Sequence, residues 1–168
     1  MTPLDAQVQA FVDQTIEHFP ADAVTADITQ QRQWYRHMYL SFAAPKPSNM
    51  LTKDAQVQAP DGHLVPVRYY QPQASSSPQR LNYPVQVVYL HGGGYVVGDL
   101  DSHDDLCAEM ADLCGFNLVA VAYRLAPEHQ YPCDISDCLA VVDDLLKQGK
   151  AIILVGDSAG ATLAACIA

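Results

Sequence analysis

The stretch Ala151–Ala168, AIILVGDSAGATLAACIA, decides how this sequence folds. Residues 151–155 are uniformly apolar, the pattern of a strand buried on both faces, and the run from Ala161 onward reads as a helix. Between them lies Gly-x-Ser-x-Gly, residues 156–160. Chance alone supplies that pattern in about 5% of chains of this length, so its placement carries the weight. The flanking glycines permit a sharp strand-to-helix turn without Cβ clashes, which lifts the Ser158 hydroxyl above a sheet. The same serine stands at a helix N-terminus, where free amides favour developing negative charge.

Working outward, the strand and helix periods alternate. Residues 85–90 and 117–122 read as strands, 103–114 as a helix capped by Ser102, and 133–148 as a helix ended by Gly149. Apolar strands joined by helices of this length imply parallel pairing with both faces covered, hence an α/β class. Ahead of them, 54–60 and 63–70 alternate around Asp61-Gly62, a hairpin signal at one edge. Residues 74–79 form a polar surface loop. The N-terminal part predicts two amphipathic helices, 3–19 with Thr2 as N-cap and 26–42, broken by Ala43–Asn49. They are either an ordinary packed hairpin or a lid over a pocket. The organisation expected is a helical segment over 1–50 and a core over 51–168, with no internal repeat.

A second motif, His91-Gly92-Gly93-Gly94-Tyr95, follows the strand 85–90 directly. Three consecutive glycines cost backbone entropy, so close backbone approach or free amides must be required there. Acyl transfer supplies the need: its tetrahedral oxyanion accepts hydrogen bonds from preorganised N–H donors, each worth about 3–4 kcal/mol of barrier. A phosphate-binding loop does not fit, since neither Lys-Ser/Thr nor G-x-G-x-x-G follows. The two motifs lie 67 residues apart, from His91 to Ser158, on separate strand ends that a parallel sheet brings to one rim.

HGGGYVVGDLDSHD (91–104), YRLAPEHQYP (123–132) and GDSAGATLA (156–164) resemble the hormone-sensitive-lipase-like branch of the α/β hydrolases, whose acetyl esterases share this elbow. The resemblance covers 84–168 and extends more weakly through the N-terminal helices, which match that family's cap. It implies an α/β-hydrolase fold with sheet order 1-2-4-3-5, continued in the family beyond the nucleophile elbow. It implies Ser158 as nucleophile and Gly93, Gly94 and Ala159 as oxyanion donors, with Gly92 completing that loop. His91 becomes a loop-holding residue, Asp157 a hydrogen-bonding residue beside the site, and Tyr95 a border of the acyl pocket. The implied chemistry is hydrolysis of small, uncharged short-chain acyl esters through an acyl-enzyme, with no metal or cofactor. A peptidase or lactonase on the same scaffold stays open.

In this fold the triad runs serine, acid, histidine. All six histidines (18, 37, 63, 91, 103 and 129) precede Ser158, and no Asp or Glu follows it. Without a base the hydroxyl is a poor nucleophile, so the expectation is a truncated hydrolase nearly inactive by itself. The strand 151–155 is expected to keep an open apolar edge that a complementing C-terminal fragment or another copy could pair. The alternative is a catalytically dead binding module.

Other features read as structural. Arg124 and Glu128 are expected to form an ion pair, and Asp99, Asp101, His103, Asp104 and Asp105 an acidic helix start rather than a metal site. Nine basic against nineteen acidic residues give a net charge of −10, with no basic patch for nucleic acid. The five cysteines, with no C-x-x-C, predict small buried apolar residues in a reducing compartment. No basic n-region or membrane-length apolar run is visible, so cytoplasmic location is the default.

Overall fold

The computed structural model describes residues 5–73 and 84–168. The expected polar loop over 74–79 therefore lies outside the described residues, as do Thr2, Pro3 and Leu4. The chain divides into two compact units, Met1–Ala43 and Ala44–Ala168.

In the first unit, α1 (Ala6–Glu17) begins behind Asp5, whose side chain accepts the Gln7 N–H, so the cap is Asp5 rather than Thr2. Asp27 caps α2 (Ile28–Phe42) in the same way, accepting from the Gln30 N–H. The helices meet through Phe11 and Phe42, with ring centroids 5.0 Å apart, and through Ser41 Oγ and His18 Nε2 at 2.9 Å. No residue of either helix is buried.

The second unit is built on one five-stranded sheet in the order β1-β2-β4-β3-β5, as the family resemblance implied. β1 (Met50–Gln58) and β2 (Leu64–Pro72) form the edge hairpin, and β2 also pairs antiparallel with β4 (Asn117–Val121). β3 (Val85–Leu90) lies parallel between β4 and β5 (Ala151–Gly156). The hairpin departs from the expected two-residue turn. Ala59 N–H donates to the His63 carbonyl and Gly62 N–H to the Ala59 carbonyl, so the connection runs over 59–63 and the strands slide outward to 50–58 and 64–72.

Two apolar layers sandwich the sheet, and strand alternation sorts side chains between them. Val88, Leu90, Val119 and Val121 face Cys138, Val141 and Leu145 of α4 (Cys133–Lys147) and Leu163 of α5 (Ala159–Ile167). Their neighbours Val87, Tyr89, Leu118 and Ala120 pack with Cys107, Ala108 and Ala111 of α3 (Asp104–Cys114). This two-sided burial is the physical reason the central strands read as continuous apolar runs. Cys107 and Cys138 are buried, and burial pushes both thiols up; Cys166 is exposed, so the expectation of buried cysteines fails there.

Candidate active site

The register of β3 on β5 sets the site. Leu90 stands opposite Gly156, so the segments that follow, 91–95 and 157–160, leave the sheet at one rim. Ser158 takes φ 49° and ψ −117°, a left-handed turn costly for a residue with a Cβ, of order 1–3 kcal/mol. That turn is held by its glycines. A Cβ on Gly156 would stand 2.5 Å from the Gly160 carbonyl, and one on Gly160 would overlap the Leu90 carbonyl. Beyond the turn, the Asp157 carbonyl accepts from Gly160 N–H at 2.8 Å and Ala161 N–H at 3.3 Å, starting α5.

The glycine loop is equally constrained. Gly93 sits at φ 117°, and its carbonyl accepts from both Val96 and Val97 N–H at 3.0 Å. Tyr95 is left-handed too, at φ 66°, and its carbonyl accepts from Ala126 N–H at 2.8 Å. Gly92 N–H donates to Asp157 Oδ1 at 2.8 Å. Its amide is thus already engaged, so Gly92 closes the loop and offers no donor of its own to an oxyanion. By contrast, the amides of Gly93, Gly94 and Ala159 donate to no acceptor among the described residues. Three free N–H groups at one rim beside a strained serine are the arrangement that stabilises a tetrahedral oxyanion.

A family model, curated relatives and solved structures match the chain. Residues 87–168 match the model of a family described as having the alpha/beta hydrolase fold. The chain is 36% identical over 156 residues to an ethyl acetate hydrolase of Pseudomonas putida, covering 89% of this chain and 48% of that protein. It is 33% identical over 171 residues to an acetyl esterase of Salmonella agona, covering 98% of this chain and 50% of the other. A hyperthermophilic esterase from the archaeon Pyrobaculum calidifontis superposes with a TM-score of 0.83 at 28% identity, over 99% of this chain and 53% of that one. An esterase from the bacterial hormone-sensitive lipase family gives a TM-score of 0.79 at 26% identity, over 99% and 52%. The chain has the α/β-hydrolase fold, and it resembles esterases of the hormone-sensitive-lipase-like branch. It spans about half the length of the curated relatives it matches.

Behind the glycine loop lies a buried polar layer. His91 Nδ1 and the Gly92 carbonyl are 2.7 Å apart, which makes Nδ1 the protonated nitrogen. Its ring stacks on Tyr123 at 4.4 Å and 14°, and the Tyr123 hydroxyl donates to the His91 carbonyl at 2.6 Å. Burial lowers the His91 pKa and keeps the ring neutral, and Nε2 has no partner among the described residues. His103 stacks 5.7 Å from His91, and burial pushes it down to about 4, against the opposing pull of Asp157.

These buried rings predict an acid-labile core. The unfolded chain protonates His103 near 6.5, the folded chain only near 4, so between those values the unfolded state holds more protons. Stability should therefore fall as pH drops from 6.5 to 4, by about 3 kcal/mol from His103, with His91 adding in the same direction. Urea midpoints at pH 7, 5.5 and 4.5 check this, and His103→Gln should flatten the slope. An unchanged slope in that variant removes His103 as the cause.

The remaining expectations divide. Ser102 does not cap α3; its hydroxyl donates to the Asp99 carbonyl, and Asp99 Oδ1 accepts from the Asp101 and Ser102 amides. The helix instead starts at Asp104 behind His103, which makes no side-chain cap bond. Arg68 joins this acidic turn to the hairpin, bonding Asp54 through Nε and Nη2 and Asp101 and Asp104 through Nη1. Among the described residues no group of three or more His, Cys, Asp or Glu is arranged to hold a metal. Arg124 does not pair with Glu128 but with the fully buried Asp137, at 2.7 Å, and with Asp61, at 2.8 Å. Asp137 lies 13 residues on, across a turn, beyond the reach of local spacing.

Tyr95 lines a depression of about 400 Å³ with Arg124, Ile135, Thr162, Leu163 and Cys166, mostly apolar; Ser158 is not part of its wall. No helix among the described residues is long and apolar enough to cross a membrane.

Proposed function

We propose that this hydrolase chain supplies the nucleophile and the oxyanion hole of a serine carboxylesterase for small, uncharged short-chain acyl esters. The observation that carries the proposal is Ser158 on its strained turn beside the unengaged amides of Gly93, Gly94 and Ala159. Ser158 Oγ attacks the ester carbonyl, those amides hold the oxyanion, the alkoxide leaves with a proton, and water resolves the acyl-enzyme. This route calls on no metal or cofactor. The short acyl group is supported by the relatives, named ethyl acetate hydrolase and acetyl esterase, and by the compact apolar depression at Tyr95.

On this reading the base and the acid lie outside residues 1–168. The six histidines of this chain all precede Ser158, and none hydrogen-bonds the serine hydroxyl among the described residues. We propose that a segment equivalent to the C-terminal half of a related esterase, paired along β5, supplies the base and the acid. That strand bonds β3 on one side and carries no charged residue between Ala151 and Gly156 to discourage pairing on the other. The same edge favours a second reading, a binding module that pairs without catalysis. A reducing, cytoplasmic setting is supported by five free thiols.

A fluorophosphonate probe separates these readings. Ser158 should be labelled rapidly once the C-terminal half of a related esterase is added, and label should vanish in Ser158→Ala. No label under any pairing leaves the binding module. Hydrolysis of p-nitrophenyl acetate by residues 1–168 alone, lost in Ser158→Ala, overturns the assignment of base and acid to residues outside 1–168.

A further inference from the structure

We propose that Asp157 is the positioning residue of the oxyanion loop, locking it to the nucleophile turn through the Gly92 amide. The inference rests on the esterase reading above for its catalytic meaning, and on geometry for the clamp itself. Asp157 Oδ1 accepts two hydrogen bonds, from Gly92 N–H at 2.8 Å and from the Tyr89 hydroxyl at 2.7 Å. Tyr89 is buried in β3, so the carboxylate is tied to the strand that launches the loop as well as to the loop. Meanwhile the Asp157 backbone carbonyl accepts the Gly160 and Ala161 amides that begin α5. One residue thus holds the loop with its side chain and the helix with its main chain, and Ser158 stands between them.

The fit leaves no room for a side chain on the loop. A Cβ on Gly92 would overlap Asp157 Oδ2 and come within 2.9 Å of Cγ, so the first glycine of the triplet is there for the carboxylate. A charged acceptor makes the stronger bond, which suits an anchor whose side chain is 47% exposed and competes with water. With Gly92 pinned, the free Gly93 and Gly94 amides are held on the same rim as that of Ala159. Without the pin, a loop with three glycines samples many conformations, and the donors lose their preorganisation.

The test compares Asp157→Ala and Asp157→Asn in the whole chain by amide hydrogen exchange. In Asp157→Ala the Gly92 amide should exchange about tenfold faster or more, while amides of Val87–Leu90 keep their parent rates. The Gly93 and Gly94 amide resonances should move or broaden. Asp157→Asn should retain most Gly92 protection, because its side-chain carbonyl still accepts. In the complemented protein, fluorophosphonate labelling of Ser158 should slow by about 10–100-fold in Asp157→Ala and far less in Asp157→Asn. An unchanged Gly92 rate in Asp157→Ala overturns the proposal. So does an increase shared equally by the β3 amides, which would make Asp157 a contributor to global stability alone. Absence of labelling in the parent protein overturns the esterase reading instead, with the exchange rates still deciding the clamp.

Discussion

Gly160→Ala is expected to lower the unfolding free energy of the core unit by at least about 3 kcal/mol, the upper range for overpacking. The added methyl would overlap the carbonyl of Leu90 and stand 2.6 Å from that of His91, at the end of β3. Both obstacles are backbone atoms, at the last residue of buried β3 and the one after it, so no side chain can rotate aside. Relief requires α5 to move off the sheet, which opens the contact between Leu163 and the apolar layer over Val88 and Leu90. Urea unfolding monitored by circular dichroism measures the loss. Gly149→Ala is the contrast: Gly149 has positive φ, 74°, which Gly160 does not, and a Cβ there meets nothing within 4 Å. It should cost only the left-handed backbone, about 1–2 kcal/mol. A Gly160→Ala variant as stable as the parent would show that close approach is not what requires glycine at the elbow.

Arg124→Ala should be as damaging, at about 3–5 kcal/mol, because it leaves a buried charge without its partner. The Asp137 side chain has no exposure, and it accepts the Arg124 main-chain N–H at 2.8 Å, Nε at 3.0 Å and Nη2 at 2.7 Å. Truncation at Cβ strips two of those three donors while the carboxylate stays enclosed by α4. Replacing both residues together, as Arg124→Leu with Asp137→Leu, should recover much of the loss, since removing both charges leaves nothing to desolvate. The same urea titration checks both variants. A double variant no more stable than Arg124→Ala would mean that the pair contributes geometry that leucines cannot replace.

Much of the core unit was legible before any coordinates. β3 runs over 85–90 as read, bounded by Pro84 and the glycine loop, and β5 extends its expected span by one residue, to Gly156. β3 and β4 announce themselves because nearly every position is apolar, Gln86 being a buried exception, and α3 and α4 do so through their 3.6-residue period. Edges were less legible. The hairpin strands shifted by several residues, because their pairing is set by a turn whose bonds close between Ala59 and His63. The start of α3 was misjudged because the Ser102 hydroxyl found a nearer partner in the Asp99 turn.

Sequence alone determined the α/β class, the strand-to-helix turn at Ser158 and the glycine loop, since periodicity and tolerance of left-handed φ are properties of a few adjacent residues. Tertiary structure alone decided the partnerships: Gly92 with Asp157, Arg124 with Asp137, Tyr123 with His91. It thereby decided which amides remain free at the rim. The physical reason is that a hydrogen bond is settled by distance and direction through space. The Gly92 amide and the Asp157 carboxylate, 65 residues apart in the chain, meet only because β3 and β5 lie in register.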